Sequence, residues 1–281
     1  MVGFFHLIRF RLSLAVTFSA LTGYLINGQV QYHSAFLVIF GVFMLATGAS
    51  ALNQISEKMP DAQMQRTRLR PLPLNKILIP AALIISLVHL CTGLIILSFT
   101  GFVAPLLGLV NIILYNLIYT RLKKITALAV IPGAAVGAVP PLIGYFASGG
   151  TALQSGILLF SGFMFLWQLP HFWIIIMKYR NDYERAGFKT FPANITERQI
   201  KNLIFLWVFF TTTFLLLLGI KDLVFGKQVL ALLIPANIVF IIFFYRMLYR
   251  SSEQTDLKSA FIMINSFGLL VMLLFIVNAF L

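Results

Sequence analysis

Charge is scarce in this chain. Only 10% of its 281 residues are Asp, Glu, Lys or Arg, and 60% are apolar; a soluble domain is about a quarter charged and about half apolar. With a mean hydropathy of +0.94, the chain reads as an all-α polytopic membrane protein. Cysteine is nearly absent. Cys91 alone makes neither an intrachain disulfide nor a thiolate cluster. Acid is rarer than base: eight Asp and Glu stand against 21 Lys and Arg, for a net charge of +13. In a soluble protein that balance points to nucleic acid. Here no basic soluble domain is left once the apolar runs are set aside, so no nucleic-acid partner is expected. The excess reads as loop charge that sets topology in a lipid bilayer. The four histidines include no i, i+4 pair, and neither a Walker A nor a Rossmann glycine pattern occurs. No cleavage-site pattern opens the chain, and its first apolar run reads as a retained helix.

What is present is long apolar runs. A span needs about 20 mostly apolar residues. Nine stretches qualify, at 12–30, 35–53, 77–98, 102–120, 127–147, 153–177, 202–220, 228–248 and 260–280. They predict one integral-membrane domain over 1–281: nine transmembrane helices in a bundle around a central cavity. The third and fourth turn tightly near Thr100 and Gly101. The fifth carries Pro132, Pro140 and Pro141 and is expected to be kinked or broken. Loop charge alternates. Arg9 and Arg11 precede the first span, and the loops after spans 2, 4, 6 and 8 hold all other Lys and Arg except Lys221 and Lys227. By the positive-inside rule the N-terminus is cytoplasmic and the C-terminus external. The two long polar loops, about 54–76 and 178–201, then cap the cytoplasmic face. They follow spans four apart, which hints at a repeated four-helix unit.

The densest polar cluster lies in the first of these loops. Asn53, Glu57 and Asp61 recur at i, i+4 and i+8, which on a continuous helix lines one face over about 12 Å. Such oxygens suit a hard cation, Mg²⁺, shared with phosphate. Pro60 should kink or end that helix, bringing Asp61 in from a loop. Arg66 and Arg70 follow at i, i+4, and their guanidinium forks match phosphate oxygens. The competing reading is a solvated helix end with weak ion pairs and topology arginines, Arg68 among them. Tyr115, Tyr119 and Lys123 recur at the end of span 4, as a phosphate-contacting lysine above an aromatic path or as an interfacial belt with a snorkelling lysine. After span 6, Asp182 is the best second-site carboxylate, while Glu184 reads as a solvated loop residue. Within span 6, Trp167, Gln168 and His171 break an apolar run. An intramembrane histidine is a functional candidate, able to ligate a metalloporphyrin or bond a substrate, or simply to join two helices. His89 in span 3 is a weaker candidate of the same kind.

Three stretches resemble the UbiA superfamily of intramembrane prenyltransferases. Residues 53–71 are similar to the motif N-x-x-x-D-x-x-x-D followed by M-x-R-T-x-x-R-P; residues 119–145 and 165–192 carry the rest. The elements W-Q-x-P-H-F-W and D-Y-x-x-A-G, at 167–173 and 182–187, resemble the branch that acts on heme. Glu57 stands where the usual motif has Asp, Met59 where many members add an acid, Asn181 before Asp182 where many have two acids, and Arg9-Phe10-Arg11 for the usual Lys-Pro-Arg. The resemblance implies farnesyl transfer from farnesyl diphosphate to a vinyl group of heme B, with addition of water, giving heme O and diphosphate. It implies Mg²⁺ on Asn53, Glu57, Asp61 and Asp182, diphosphate on Arg66, Arg70 and Lys123, and an allylic cation faced by Tyr115 and Tyr119. Heme would meet Trp167 and His171. It further implies a multi-pass protein of the bacterial plasma membrane with its site facing the cytoplasm, and a downstream heme-modifying enzyme or terminal oxidase assembly as possible partner. A superfamily relative acting on an aromatic quinone precursor is the alternative; a transporter is disfavoured because no acid sits mid-span.

Overall fold

The computed structural model describes residues 2–28, 31–192, 194–220, 227–249 and 254–278. Lys221 and Arg250, two of the residues used for topology, lie outside these, as do the extreme ends of the first and ninth expected spans. Every element among the described residues is helical. They are α1 (Val2–Leu7), α2 (Phe10–Ile26), α3 (Tyr32–Ser56), α4 (Lys58–Gln63), α5 (Ile79–Ser98), α6 (Val103–Ile113), α7 (Thr120–Leu122), α8 (Val130–Ala147), α9 (Ser155–Lys178), α10 (Arg180–Arg185), α11 (Glu197–Ile220), α12 (Lys227–Tyr249) and α13 (Gln254–Asn278). A π-helical turn, Leu114–Tyr119, joins α6 to α7, and a 3₁₀ turn, Ala127–Ala129, leads into α8.

The nine expected stretches fall on helical segments, with two corrections. Among the described residues, seven segments have the length and apolarity to cross a bilayer. Phe10–Ile26 and the apolar part of α12, Leu233–Tyr249, are shorter. The first is short because Arg9 takes a left-handed conformation ahead of it and the chain turns at Gly28, with φ of 73°. Conversely, α11 begins five residues before the apolar run. Thr196 and Gln199 form a reciprocal capping box there: Gln199 Oε1 accepts from the Thr196 amide at 2.8 Å, and the Gln199 amide donates to Thr196 Oγ1 at 3.3 Å. Such a box satisfies two orphan amides and starts a helix ahead of its hydrophobic face.

The turn expected near Thr100 is present, with Gly101 at φ of 120°. The fifth stretch is not broken: α8 runs unbroken through Pro140 and Pro141. The carbonyls these prolines leave free belong to Val136 and Gly137, both of which line the cavity described below. Irregular bonding at membrane depth is tolerated where it faces protein or a cavity.

Two apolar cores lie on either side of α8. One joins α2, α3, α5, α6 and the end of α8; the other joins the start of α8 to α9, α11, α12 and α13. Lipid supplies no hydrophobic force between helices, so close backbone approach at small residues holds them. Gly41 and Gly48 of α3 admit Leu97 and Leu90 of α5, and Ser86 Oγ donates to the Gly48 carbonyl at 2.8 Å. Gly23 of α2 rests on the Pro141 backbone, and Gly144 of α8 on the Ala20 carbonyl. The outward faces keep Ile84, Leu87, Ile95 and Phe102 at 50–77% exposure. A protein with that surface belongs in a bilayer.

Candidate active site

A cavity of about 600 Å³ runs through the bundle, lined from α2, α3, the π turn, α8, α9 and α13. At one end stand Arg9, Arg11, Arg66, Arg70 and Lys123 with Glu57 and Asp61. The middle is apolar, from Leu45, Ala49, Ile112, Val136 and Ile143. Asn111, Gln168, His171 and Asn265 line it among these apolar walls.

The polar end is built on a broken helix. α3 stops at Ser56, and Glu57 leaves helical geometry at φ −108°, ψ 10°. The chain then restarts as α4, with Pro60 in its first turn, where its missing N–H is no loss. Asn53, Glu57 and Asp61 therefore do not share one continuous helix face. Asn53 Nδ2 donates to Glu57 Oε1 at 2.9 Å and to Thr120 Oγ1 at 3.0 Å. Glu57 also pairs with Lys123. Asp61, fully buried, turns away to accept from Arg70 Nη1 at 2.7 and 2.6 Å on its two oxygens.

The π turn places the aromatic wall. It inserts one extra residue per turn, a feature that recurs at functional sites. Both the Thr120 amide and its hydroxyl donate to the Tyr115 carbonyl, the hydroxyl at 2.8 Å. Thr120 is thereby set where Asn53 reaches it. Tyr115 and Tyr119 stack at 6.0 Å, 15° apart, and Tyr119 lies 5.7 Å from Phe172. The Lys123 ammonium stands 5.2 Å from the Tyr119 ring and 4.9 Å from Phe188.

Asp182 approaches from α10. Its Oδ2 accepts the Arg66 amide at 3.3 Å and its Oδ1 lies 3.9 Å from Arg185. The Arg66 guanidinium bonds the Tyr183 hydroxyl at 3.3 Å and lies over the Tyr179 ring at 5.4 Å. Thus each acid is held by base. Among the described residues, no three acidic, histidine or cysteine side chains converge as a metal cage, so the expected four-residue metal set is not gathered at one point. Arg68 is exposed and stands apart from the cavity. Glu184 is solvent-exposed as expected but lies on the helix α10 and not in a loop, its pKa lowered by hydrogen bonds from Arg180 and Thr190.

Two residues change standing. Arg9, counted in the sequence as topology charge, donates from Nη2 to Asn53 Oδ1 at 2.8 Å and from Nη1 to the Tyr115 hydroxyl at 2.9 Å. Asn53 Oδ1, the one atom through which that residue could bind a metal, is engaged by Arg9. Only the Arg9-Phe10-Arg11 departure from the family pattern could have drawn attention to it. Trp167, expected on the heme side, does not line the cavity; its indole N–H is spent on the Ile264 carbonyl at 2.9 Å. His171 does line it. His89 instead pairs with Thr47 Oγ1 at 2.9 Å, the helix-joining role.

Burial, and then the crowding of cations, shifts their titration. Burial, then Arg9, lowers the Arg70 pKa to about 10, against the opposing pull of Asp61. Burial, then Arg9 and Lys124, holds Lys123 well below the usual lysine range. An anion that bonds the ammonium needs it protonated. Affinity for such an anion is therefore expected to fall as pH rises through this lowered pKa, and to do so at lower pH than for an ordinary lysine. Lys123→Arg keeps the charge and should move that alkaline limb upward, as read from kcat/KM against pH; an unmoved limb would assign it to another group.

The cavity is thus cationic at one end and apolar through its middle. The sequence model of the UbiA prenyltransferase family matches residues 16–275, and the chain belongs to that family. It is an integral membrane enzyme, a prenyltransferase. Among similar curated proteins, the protoheme IX farnesyltransferase of Cytophaga hutchinsonii is 34% identical over 269 residues, covering 94% of this chain and 92% of the relative. That of Geobacter sulfurreducens is 40% identical over 185 residues, covering 66% and 68%. Among solved structures, a digeranylgeranylglyceryl phosphate synthase aligns with a TM-score of 0.78 at 20% identity, covering 99% of this chain and 97% of its own. A UbiA homolog from Archaeoglobus fulgidus bound to GPP and Mg²⁺ aligns at 0.69 and 14%, covering 99% and 98%. At these identities the structures establish the shared fold.

Proposed function

We propose that this enzyme transfers the farnesyl group of farnesyl diphosphate to a vinyl group of heme B, with water adding to give heme O and diphosphate. The observation that carries the reading is the cavity itself: a cationic end with paired acids, an apolar middle, and an intramembrane histidine with an unpaired ring nitrogen beyond it. The relatives' name, protoheme IX farnesyltransferase, supports the choice of acceptor.

Asn53, Glu57, Asp61 and Asp182 present hard oxygens of the type Mg²⁺ takes, and their scatter suits an ion that arrives with its diphosphate. Mg²⁺ keeps waters and phosphate oxygens and so needs few carboxylates at once. Glu57, Asp61 and Asp182 would hold it; Asn53, bonded to Arg9, would set the angle of Glu57. When bound, the ion offsets charge on the leaving diphosphate. Lys123 and Arg70, which pair with Glu57 and Asp61, would together with Arg66 take the phosphate oxygens. Charge developing on the leaving group is thereby met by donors already in place. The allylic carbon loses its bond to diphosphate oxygen and becomes a cation, faced by the stacked rings of Tyr115 and Tyr119. The vinyl π electrons close on that carbon, and water adds to the resulting cation with loss of a proton.

The same reading places nine spans in one domain in the plasma membrane of a bacterium. The basic loops and the active site face the cytoplasm, and heme O passes to a downstream heme-modifying enzyme or terminal oxidase assembly. The direct test incubates purified protein in nanodiscs with heme B, farnesyl diphosphate and Mg²⁺ and seeks heme O by mass. Product should form and should vanish with chelator. Product undiminished by chelator would remove Mg²⁺ from the scheme. No heme O, with prenylated hydroxybenzoate formed instead, would move the chain to the quinone-precursor branch.

A further inference from the structure

The diphosphate chemistry leaves one cation of the cavity without a task. Of the five Lys and Arg that line it, Lys123 pairs with Glu57 and Arg70 with Asp61. Arg66 bonds the Tyr183 hydroxyl, and Arg9 gives two nitrogens to Asn53 and Tyr115. Arg11 lines the same cavity and, among the described residues, makes no hydrogen bond or ion pair.

That both Arg9 and Arg11 reach one cavity follows from the backbone. Side chains two apart on a helix do not face the same way. Arg9, however, stands just outside α2 in left-handed geometry, at φ 45° and ψ 52°, while Arg11 lies in the first turn. Phe10, between them, does not line the cavity; its ring meets Phe5 at 5.4 Å and Phe43 at 5.7 Å. A left-handed residue other than glycine is uncommon, and strain of this kind gathers at functional sites.

Past Arg11 the wall turns apolar and aromatic. Leu12 and Val16 of α2 line the cavity, as do Phe261 of α13, a helix packed on α2, and Phe172 of α9. A cation at the edge of such a wall fits a flat apolar body with an acidic edge. Heme B is one: its ring carries two propionate carboxylates. A carboxylate brought into an apolar cavity is costly unless it is paired. A guanidinium fork matches a carboxylate with two parallel bonds.

We propose that Arg11 binds the acceptor, taking a propionate carboxylate of heme B and so fixing the orientation of the ring in the cavity. The proposal rests on the heme reading above. It divides the cationic end between two substrates: Lys123, Arg70 and Arg66 serve the diphosphate, and Arg11 serves the carboxylate.

The test compares heme B with its dimethyl ester, in which both propionates are neutral. Each is titrated into wild type and Arg11→Gln in nanodiscs, with KM for farnesyl diphosphate measured in parallel. The wild type should favour heme B. The ratio of the two affinities should fall by about tenfold or more in Arg11→Gln, the weight of one hydrogen bond to a charged group, while KM for farnesyl diphosphate stays at the wild-type value. Arg11→Lys keeps the charge without the fork and should retain part of the ratio. A ratio unchanged by Arg11→Gln overturns the proposal, and a raised KM for farnesyl diphosphate beside it assigns Arg11 to the diphosphate instead. Where Arg11→Gln fails to insert, the wild type decides alone: equal affinity for heme B and its ester overturns the proposal. A wild type that binds neither porphyrin overturns the heme reading itself.

Discussion

Asp61→Asn is expected to lower kcat/KM for farnesyl diphosphate by about 10²–10³-fold, the effect of removing one preorganised charge-stabilising group. Asparagine nearly matches aspartate in size, so the cavity keeps its shape. What goes is the negative charge, in a fully buried position where both oxygens accept from Arg70. Two losses follow. A metal–diphosphate complex loses one of the few carboxylates near the cation cluster. Arg70 is left facing Arg9 and Arg66 without its counter-charge, which should depress its already lowered pKa further. Because Asp61 and Arg70 act as one unit, the double variant Asp61→Asn with Arg70→Gln should fall well short of the product of the single effects. Steady-state kinetics at saturating heme B give the answer. A single variant within tenfold of wild type would mean that Asp61 serves only to seat Arg70.

Gly144→Val should prevent assembly of the bundle. A Cβ at Gly144 would lie on the Ala20 carbonyl, and one at Gly23 on the Pro141 backbone. These contacts are with main chain, so no side-chain rotation relieves them; α2 and α8 must separate. Overpacking a tight contact costs about 1–3 kcal/mol and occasionally more. The upper end applies here, because the obstacle is backbone and in lipid close approach is the main cohesion between helices. Separation would also move the start of α2, whose preceding Arg9 binds Asn53 and Tyr115. Gly144→Val should therefore give no monodisperse peak in detergent, and Gly23→Val the same. A Gly144→Val protein eluting and melting like wild type would show that α2 and α8 are held mainly elsewhere.

Local spacing was legible where one helix or one turn carries the signal. Asn53 and Glu57 do meet, because residues four apart on a helix are neighbours. Tyr115 and Tyr119 do stack. A break near Pro60 was foreshadowed, but it falls at Glu57, and Asp61 reaches its place from the short helix α4 and not from a loop. The early start of α11 could have been read from Thr196 and Gln199, a signal weaker than the apolar run beside it. The prolines of α8 do not break it, because a proline-bearing helix stays continuous where neighbouring helices and a cavity absorb the freed carbonyls.

Composition by itself determined that this is a membrane-embedded helical protein, since so few charges and such long apolar runs are stable only in lipid. Motif spacing by itself identified the family and named most of the candidate site residues, because those motifs lie within single helices or at their ends. The tertiary structure alone decided the pairings: Glu57 with Lys123, Asn53 with Arg9, Asp182 with the Arg66 amide, and Trp167 with α13 rather than the cavity. Each joins residues more than forty positions apart. Loop charge of one sign looks the same in sequence whether it faces water or a buried acid. Only helix packing, set by where Gly23, Gly48 and Gly144 let backbones approach, determines which of the two it does.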